Sequence, residues 1–263
     1  MSSPSVLILR APGTNCDLES AYAFEKAGAC TERVHINRLL ENPKLAGEHQ
    51  ILCLPGGFSY GDDLGAGCIL GSQIRHHLAD CLAEFKAAGK LILGICNGFQ
   101  ILMRSGILLA DEPPHGPPAT LTLNAGGKYE DRWVQLGTAS GNSVFLAGIE
   151  SMYLPIAHAE GKFVPRDAAA LNKLEAAGQL VLRYTDETVK EGQASALLPF
   201  PANPNGSTLN VAGVCDPTGR VLGLMPHPER HIDRTHHPRW TRGEGRPEGD
   251  GLALFRNAVR YFA

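Results

Sequence analysis

The sequence predicts an α/β fold built on an open, doubly wound, mostly parallel sheet, and two observations carry the prediction. The apolar runs up to residue 95 are continuous rather than alternating, the mark of strands buried on both faces. Segments of helical periodicity fall between them, and an order of strand, helix, strand places parallel strands under covering helices.

Taken in order, Ser5 to Arg10 reads as the first strand and Asp17 to Ala27 as the helix after it. Strands are expected next at Thr31 to Ile36, Gln50 to Leu54 and Lys90 to Ile95, with one helix over Ile69 to Ala88. Later strands are expected at Arg132 to Gly137, Met152 to Ile156, Leu180 to Tyr184 and Val221 to Met225. Leu252, Phe255, Val259 and Phe262 repeat with helical spacing, and Asp250 is placed to cap that helix. Asp111 to Pro118 and Pro199 to Gly206 are crowded with proline, asparagine and glycine and read as surface excursions, too short for linkers. Residues 1–263 are therefore expected to form a single domain.

A net charge of -3, from 24 basic and 27 acidic residues, leaves no cationic surplus for phosphate backbones or anionic lipid, so neither nucleic acid nor membrane is an expected partner. Met1-Ser2-Ser3-Pro4 lacks a basic leader region and Val6 to Leu9 is too short for a span, so the expected compartment is the cytosol. The 7 cysteines, at 16, 30, 53, 68, 81, 96 and 215, include no C-x-x-C pair and read as reduced, mostly buried thiols. No metal is expected: His227, His231, His236 and His237 cluster in sequence, but adjacent histidines cannot both face one ion on a regular element. Arg230, Arg234, Arg239, Arg242 and Arg246 make the same stretch basic, which reads as a solvated or partner-facing loop.

Three segments carry chemistry. Leu91 to Ile95 runs as a buried strand into Cys96-Asn97-Gly98-Phe99-Gln100. A nucleophile at a strand-to-helix junction sits on a strained turn, and the residues two before and two after must be small; Gly94 and Gly98 fill both positions. The helix N-terminus favours a thiolate there, and Asn97 N–H points where an oxyanion would form. In Met225-Pro226-His227-Pro228-Glu229, Pro228 keeps His227 extended, and residues i and i+2 of an extended stretch project to one side about 6 to 7 Å apart. Glu229 can then orient His227 as the base for Cys96. The paired Gly56 and Gly57 after Leu52 to Pro55 let backbone N–H groups approach a ligand, as an oxyanion hole requires.

With Gly94 to Gln100 as the elbow and His227-Pro228-Glu229 as its partner, the chain resembles the class I, or triad, glutamine amidotransferases. Pro12 to Asp17, Pro55 to Asp62 and Pro155 to Gly161 narrow the resemblance to the glutaminase-subunit family of phosphoribosylformylglycinamidine synthases, which act in purine biosynthesis. The resemblance implies a flavodoxin-like fold and hydrolysis of glutamine by Cys96, His227 and Glu229, with Gly57 and Asn97 as the oxyanion hole. It implies glutamine contacts at Gly56, Gln100, Asn124, Lys128 and Tyr129, although serine near 126 and phenylalanine at 129 are expected and absent. Asp63 and Gly65 likewise stand where an aromatic residue and an arginine are common. It further implies that ammonia passes to a synthetase subunit, often through a small bridging subunit. No cofactor is expected on this chain, which lacks the G-x-x-x-x-G-K-[ST] sequence; ATP and Mg belong to the synthetase. His158 and Glu160, two apart beyond a strand end, are expected at a docking or gating surface, with a solvated loop as the plainer account.

Other readings remain. The same hydrolysis could serve a different synthetase, or the fold could be a non-catalytic binding module. A cysteine α/β hydrolase is disfavoured because there the acid precedes the histidine.

Overall fold

Runs of leucine, isoleucine and valine make the strands, and their order brings four carboxyl ends together. The computed structural model describes residues 3–139, 141–186 and 197–263. Its first half holds β1 (Ser5–Arg10), α1 (Asp17–Lys26), β2 (Cys30–His35), α2 (Ile36–Glu41), β3 (Ile51–Leu54), α3 (Cys68–His77), α4 (Ala79–Ala87), β4 (Leu91–Ile95) and α5 (Asn97–Ser105). There follow β5 (Ala119–Leu123), β6 (Glu130–Thr138), β7 (Ser151–His158), β8 (Glu160–Pro165), α6 (Ala168–Ala176), β9 (Leu182–Thr185), β10 (Val211–Cys215), β11 (Val221–Leu224) and α7 (Leu252–Arg260).

One sheet runs β2-β1-β3-β4-β11-β10-β9-β6-β7, while β5 and β8 form a separate two-stranded ribbon. The first five strands in this order are parallel. Every residue of β3, β4 and β11 is buried, which is why these strands read as unbroken apolar runs. The other four join antiparallel, and β7 alternates exposed or half-buried with buried residues, as a strand with one solvated face does. The α/β class and the doubly wound parallel half stand as the sequence predicts them.

Helix α5 is set close against this sheet. A Cβ on Gly98 would fall 1.8 Å from the Leu54 carbonyl oxygen, and one on Gly223, which pairs with Gly94 across β4 and β11, would fall 2.2 Å from the Phe99 ring. On the other side of the first strands, Phe24 of α1 meets Phe255 of α7 edge to face at 4.8 Å, a contact worth about 1 kcal/mol beyond its buried area.

Four expectations are corrected. The helix expected over Ile69 to Ala88 is two, broken at Leu78, whose φ of -124° leaves the helix while its side chain is buried. The break lets α3 pack on α5 while α4 covers the turn at Pro43–Glu48, directions one straight helix cannot serve. Asp250 does not cap α7; Gly251 holds that position, and the Asp250 carboxylate accepts from Tyr153 N at 2.8 Å. Residues 199–206 are a surface excursion only in part: 199–201 are exposed, with Phe200 at 61%, whereas Asn203 and Asn205 are buried and bond Ser207 O and Gly161 O. Arg230 does not belong to the exposed basic loop, since it is drawn in to Glu19 and Cys16.

Candidate active site

The loops that leave β1, β3, β4 and β11 at their carboxyl ends converge, the place where open α/β sheets hold their ligands. Cys96 occupies the loop from β4 into α5 with φ 52° and ψ -107°, a conformation that costs a non-glycine residue roughly 1 to 3 kcal/mol and persists because the seated helix enforces it. Its side chain is almost wholly buried, and the thiol points at Ala157 O, 3.7 Å away on β7.

His227 follows β11, and its backbone N–H donates to Pro155 O at 2.8 Å. Its Nδ1 lies 2.6 Å from Glu229 Oε1, and both side chains are buried. With Nδ1 engaged, Nε2 has no partner among the described residues and is the nitrogen left for Cys96. Burial alone would lower the imidazole's pKa; the Glu229 carboxylate and then the Cys96 sulfur overcome it and hold the ring well above the ordinary range. The structure thus brings Cys96, His227 and Glu229 together in a nucleophile, base and orienting-acid arrangement.

Around the elbow, Gly57 adopts φ +146° in an antiparallel bridge to Thr14, and a Cβ there would lie 2.6 Å from Gly13 O. Asn97 is the first residue of α5, so its N–H has no helical acceptor. Its side chain accepts from Ser59 N at 3.1 Å, joining the Gly57 loop to the elbow. Gly56 lies flat against the His227 ring: a Cβ would be 2.8 Å from Cε1.

Gln100 sits one turn below Cys96, its amide donating to Glu160 O and accepting from Asn97 Nδ2. Asn124 departs from the expectation of a glutamine contact. It is buried and spends its amide on Lys128 O, His158 O and His158 Nδ1, so it clamps the turn at 124–128. Lys128 on that turn is exposed. Tyr129 stands at the mouth beside Phe58, rings 6.4 Å apart, with its phenol pKa raised by burial and then by Cys96 nearby. Phe58 is a mouth residue that sequence reasoning missed.

His158 lies on neither a docking surface nor a solvated loop, whereas Glu160 is half-buried. His158 is buried with its pKa pushed down to about 3, by burial and then by the charge of His227. Glu160 accepts from Ala66 N at 3.3 Å and so ties the loop after β3 to β8. Cys16 was also missed: its sulfur lies 4.0 Å from His227 Nδ1. The signal was its place in Pro12 to Asp17, one of the three segments that carry the narrower resemblance.

Among the described residues, Cys16, His227 and Glu229 offer metal-ligating atoms within 4.8 Å of one another. The Arg230 guanidinium, 3.2 Å from the Cys16 sulfur, opposes a cation there. His231 and His237 pack with aromatic rings, Trp133 lying 5.1 Å from the first and 6.1 Å from the second, while His236 takes the backbone N–H groups of Ile232 and Asp233.

Known proteins resemble the chain over nearly its whole length. Residues 3–262 match the CobB/CobQ-like glutamine amidotransferase domain. The phosphoribosylformylglycinamidine synthase subunit PurQ of Dehalococcoides mccartyi is 47% identical over 262 residues, covering 99% of this chain and 98% of that protein. The subunit of the same name from Methanococcus maripaludis is 40% identical over 98% of this chain and 97% of its own. A chain in the structure of PurLQS from Thermotoga maritima superposes with a TM-score of 0.72 at 30% identity, covering 99% of this chain and all 100% of that one. A strained cysteine elbow beside a buried histidine and glutamate is what a glutaminase needs, and the chain belongs to the CobB/CobQ-like glutamine amidotransferase family, among its PurQ subunits.

Proposed function

We propose that the chain is the glutaminase component of a phosphoribosylformylglycinamidine synthase, with residues 1–263 working as one amidotransferase unit. The observation that carries this is Cys96, held at φ 52° with the buried His227 and Glu229 pair beside it. Full-length similarity to subunits of that name supports the pathway.

Cys96 gives its thiol proton to His227 Nε2 as its Sγ attacks the side-chain amide carbon of glutamine, and the N–H groups of Gly57 and Asn97 take the oxyanion. The imidazolium of His227 delivers its Nε2 proton to the departing ammonia, leaving a glutamyl thioester on Cys96. Now neutral, His227 accepts a proton from water, whose oxygen attacks the thioester and releases glutamate and the Cys96 sulfur. Glu229 holds the ring in the tautomer both steps need. Tyr129 and Phe58 flank the mouth where the amino acid's polar end enters, with Lys128 beside it and Gln100 lining the floor.

The ammonia passes to a synthetase subunit that activates formylglycinamide ribonucleotide with ATP and Mg, and a small third subunit bridges the two, as the grouping in the name PurLQS suggests. This chain carries no phosphate-binding loop sequence, so the nucleotide chemistry belongs to the partner. No helix among the described residues is long and apolar enough to cross a membrane, in keeping with a place in the cytosol.

The test is glutamate release from glutamine by the pure protein and Cys96→Ala, each with and without the synthetase subunit, ATP and acceptor. Partner-stimulated, Cys96-dependent release is expected. Cys96-dependent release without stimulation would move the chain to another synthetase, and no release under any condition would favour a binding module.

A further inference from the structure

We propose that Cys16 is a positioning residue for His227: pinned by Arg230 and Asn15, its sulfur braces the Nδ1 edge of the ring beside Glu229 and keeps Nε2 aimed at Cys96. This rests on the triad reading above.

Cys16 is 1% exposed and immediately precedes α1. Its thiol donates to Asn15 Oδ1 at 3.2 Å, its sulfur accepts from Arg230 Nη2 at 3.2 Å, and 4.0 Å separates it from His227 Nδ1. Arg230 is fixed in turn by Glu19 Oε2 at 3.0 Å, so the sulfur hangs from a chain anchored on α1. There is no slack on the remaining side: a Cβ on Gly56 would come within 2.8 Å of His227 Cε1 and 3.1 Å of the Cys16 sulfur. Burial holds the Cys16 thiol pKa up, so it stays neutral. A neutral sulfur is a weak acceptor and fills space without drawing the Nδ1 proton from Glu229. Glu229 alone would fix the ring's tautomer but leave it free to swing about the single 2.6 Å contact; the sulfur removes that freedom. The pair also explains why Arg230 leaves the basic loop downstream: its guanidinium donates to this sulfur at 3.2 Å.

The experiment compares Cys16→Ser, Cys16→Ala and Cys16→Val with the parent and Cys96→Ala in the reconstituted complex, measuring kcat and KM for glutamine and the pH profile of kcat. Serine can still bond Arg230 and Asn15, whereas valine fills the volume without polar partners. Misplacing the ring is expected to lower kcat roughly 10- to 100-fold in the alanine and valine variants, with KM unchanged. The alkaline limb, where the imidazolium loses its proton, moves to lower pH in both, because a contact favouring the charged ring is gone; serine restores most of kcat. Valine matching the parent while serine is impaired would reduce Cys16 to packing and overturn the proposal, as would unchanged rates and pH profiles throughout. A parent without Cys96-dependent turnover would instead sink the triad reading itself.

Discussion

Replacing His158 by asparagine tests whether a neutral histidine is built in next to a charged one. Asparagine can still donate to Asn124 Oδ1, the partner of His158 Nδ1 at 3.1 Å, but cannot titrate. In the folded chain His158 takes a proton only near pH 3, whereas in the unfolded chain it does so near its ordinary 6.5. Between these values the unfolded state binds the extra proton, so the parent loses stability as pH falls from 6.5 toward 3, by about 1.4 kcal/mol per pH unit. Above 6.5 the group is neutral in both states and contributes nothing to the pH dependence. At pH 4.5 the accumulated loss is about 2.7 kcal/mol, a share the asparagine variant escapes. The variant carries its own cost of about 1 to 2 kcal/mol from lost volume, but that offset is the same at every pH. Urea unfolding of both proteins at pH 8, 6, 5 and 4.5 gives the difference directly. The gap should shift in the variant's favour by well over 2 kcal/mol between pH 8 and 4.5, and parallel stability curves would refute the reasoning. The consequence for catalysis is that His158 cannot compete for the proton His227 must carry.

Three further outcomes are expected. Glu229→Gln keeps a bond to Nδ1 but removes the charge that holds the imidazolium, so kcat should fall roughly 10²- to 10⁴-fold in the glutaminase assay while circular dichroism stays that of the parent. Gly98→Ala drives a methyl into the Leu54 carbonyl and should cost about 3 kcal/mol or more, seen as a much lower melting temperature or insoluble protein; a normal melting temperature would mean α5 is not seated as described. Asn205→Ala removes the 2.7 Å donor to Gly161 O, leaving it only the 3.5 Å contact from Ser207 Oγ, along with the 3.2 Å bond to the buried Tyr184 hydroxyl, and should cost about 1 to 3 kcal/mol in chemical denaturation.

What the sequence showed and what it hid divide along physical lines. The parallel strands were legible because burial on both faces removes polar residues, and Ser5–Arg10 was placed to the residue. The elbow was legible because steric crowding demands glycine at 94 and 98. Leu78 carries no such mark: no proline or glycine announces the break, which tertiary packing imposes. Residues 203–205 misled because proline and asparagine signal turns, not exposure, and a buried asparagine with its bonds made is as stable as a surface one. Asn124 and His158 were placed near the site but given the wrong contacts, since a motif records position without saying which atoms face the substrate. Cys16 escaped for a simpler reason: its neighbour His227 is 211 residues away.

Strand β7 lies far from β11 along the sheet. It is the edge strand, four intervals from β11, which on a flat sheet is about 19 Å. Yet His227, three residues past the end of β11 and so able to reach at most about 10 Å, donates to Pro155 O on β7. The antiparallel half must therefore curl back over the parallel ends. Register shows where it bends: β9 pairs only with Gln135 to Thr138 of β6, so Glu130 to Val134 run on beyond it with β7 as their partner. That overhanging ribbon delivers Pro155 O and Ala157 O, two apart on one strand edge, to the His227 backbone and the Cys96 thiol. Ala157 O accepts from the Cys96 thiol at 3.7 Å, so the strand that holds the His227 backbone also fixes where the sulfur lies. The stretch from Pro155 to Gly161 thus serves the chemistry through its backbone, which is why its side chains alone did not disclose what it does.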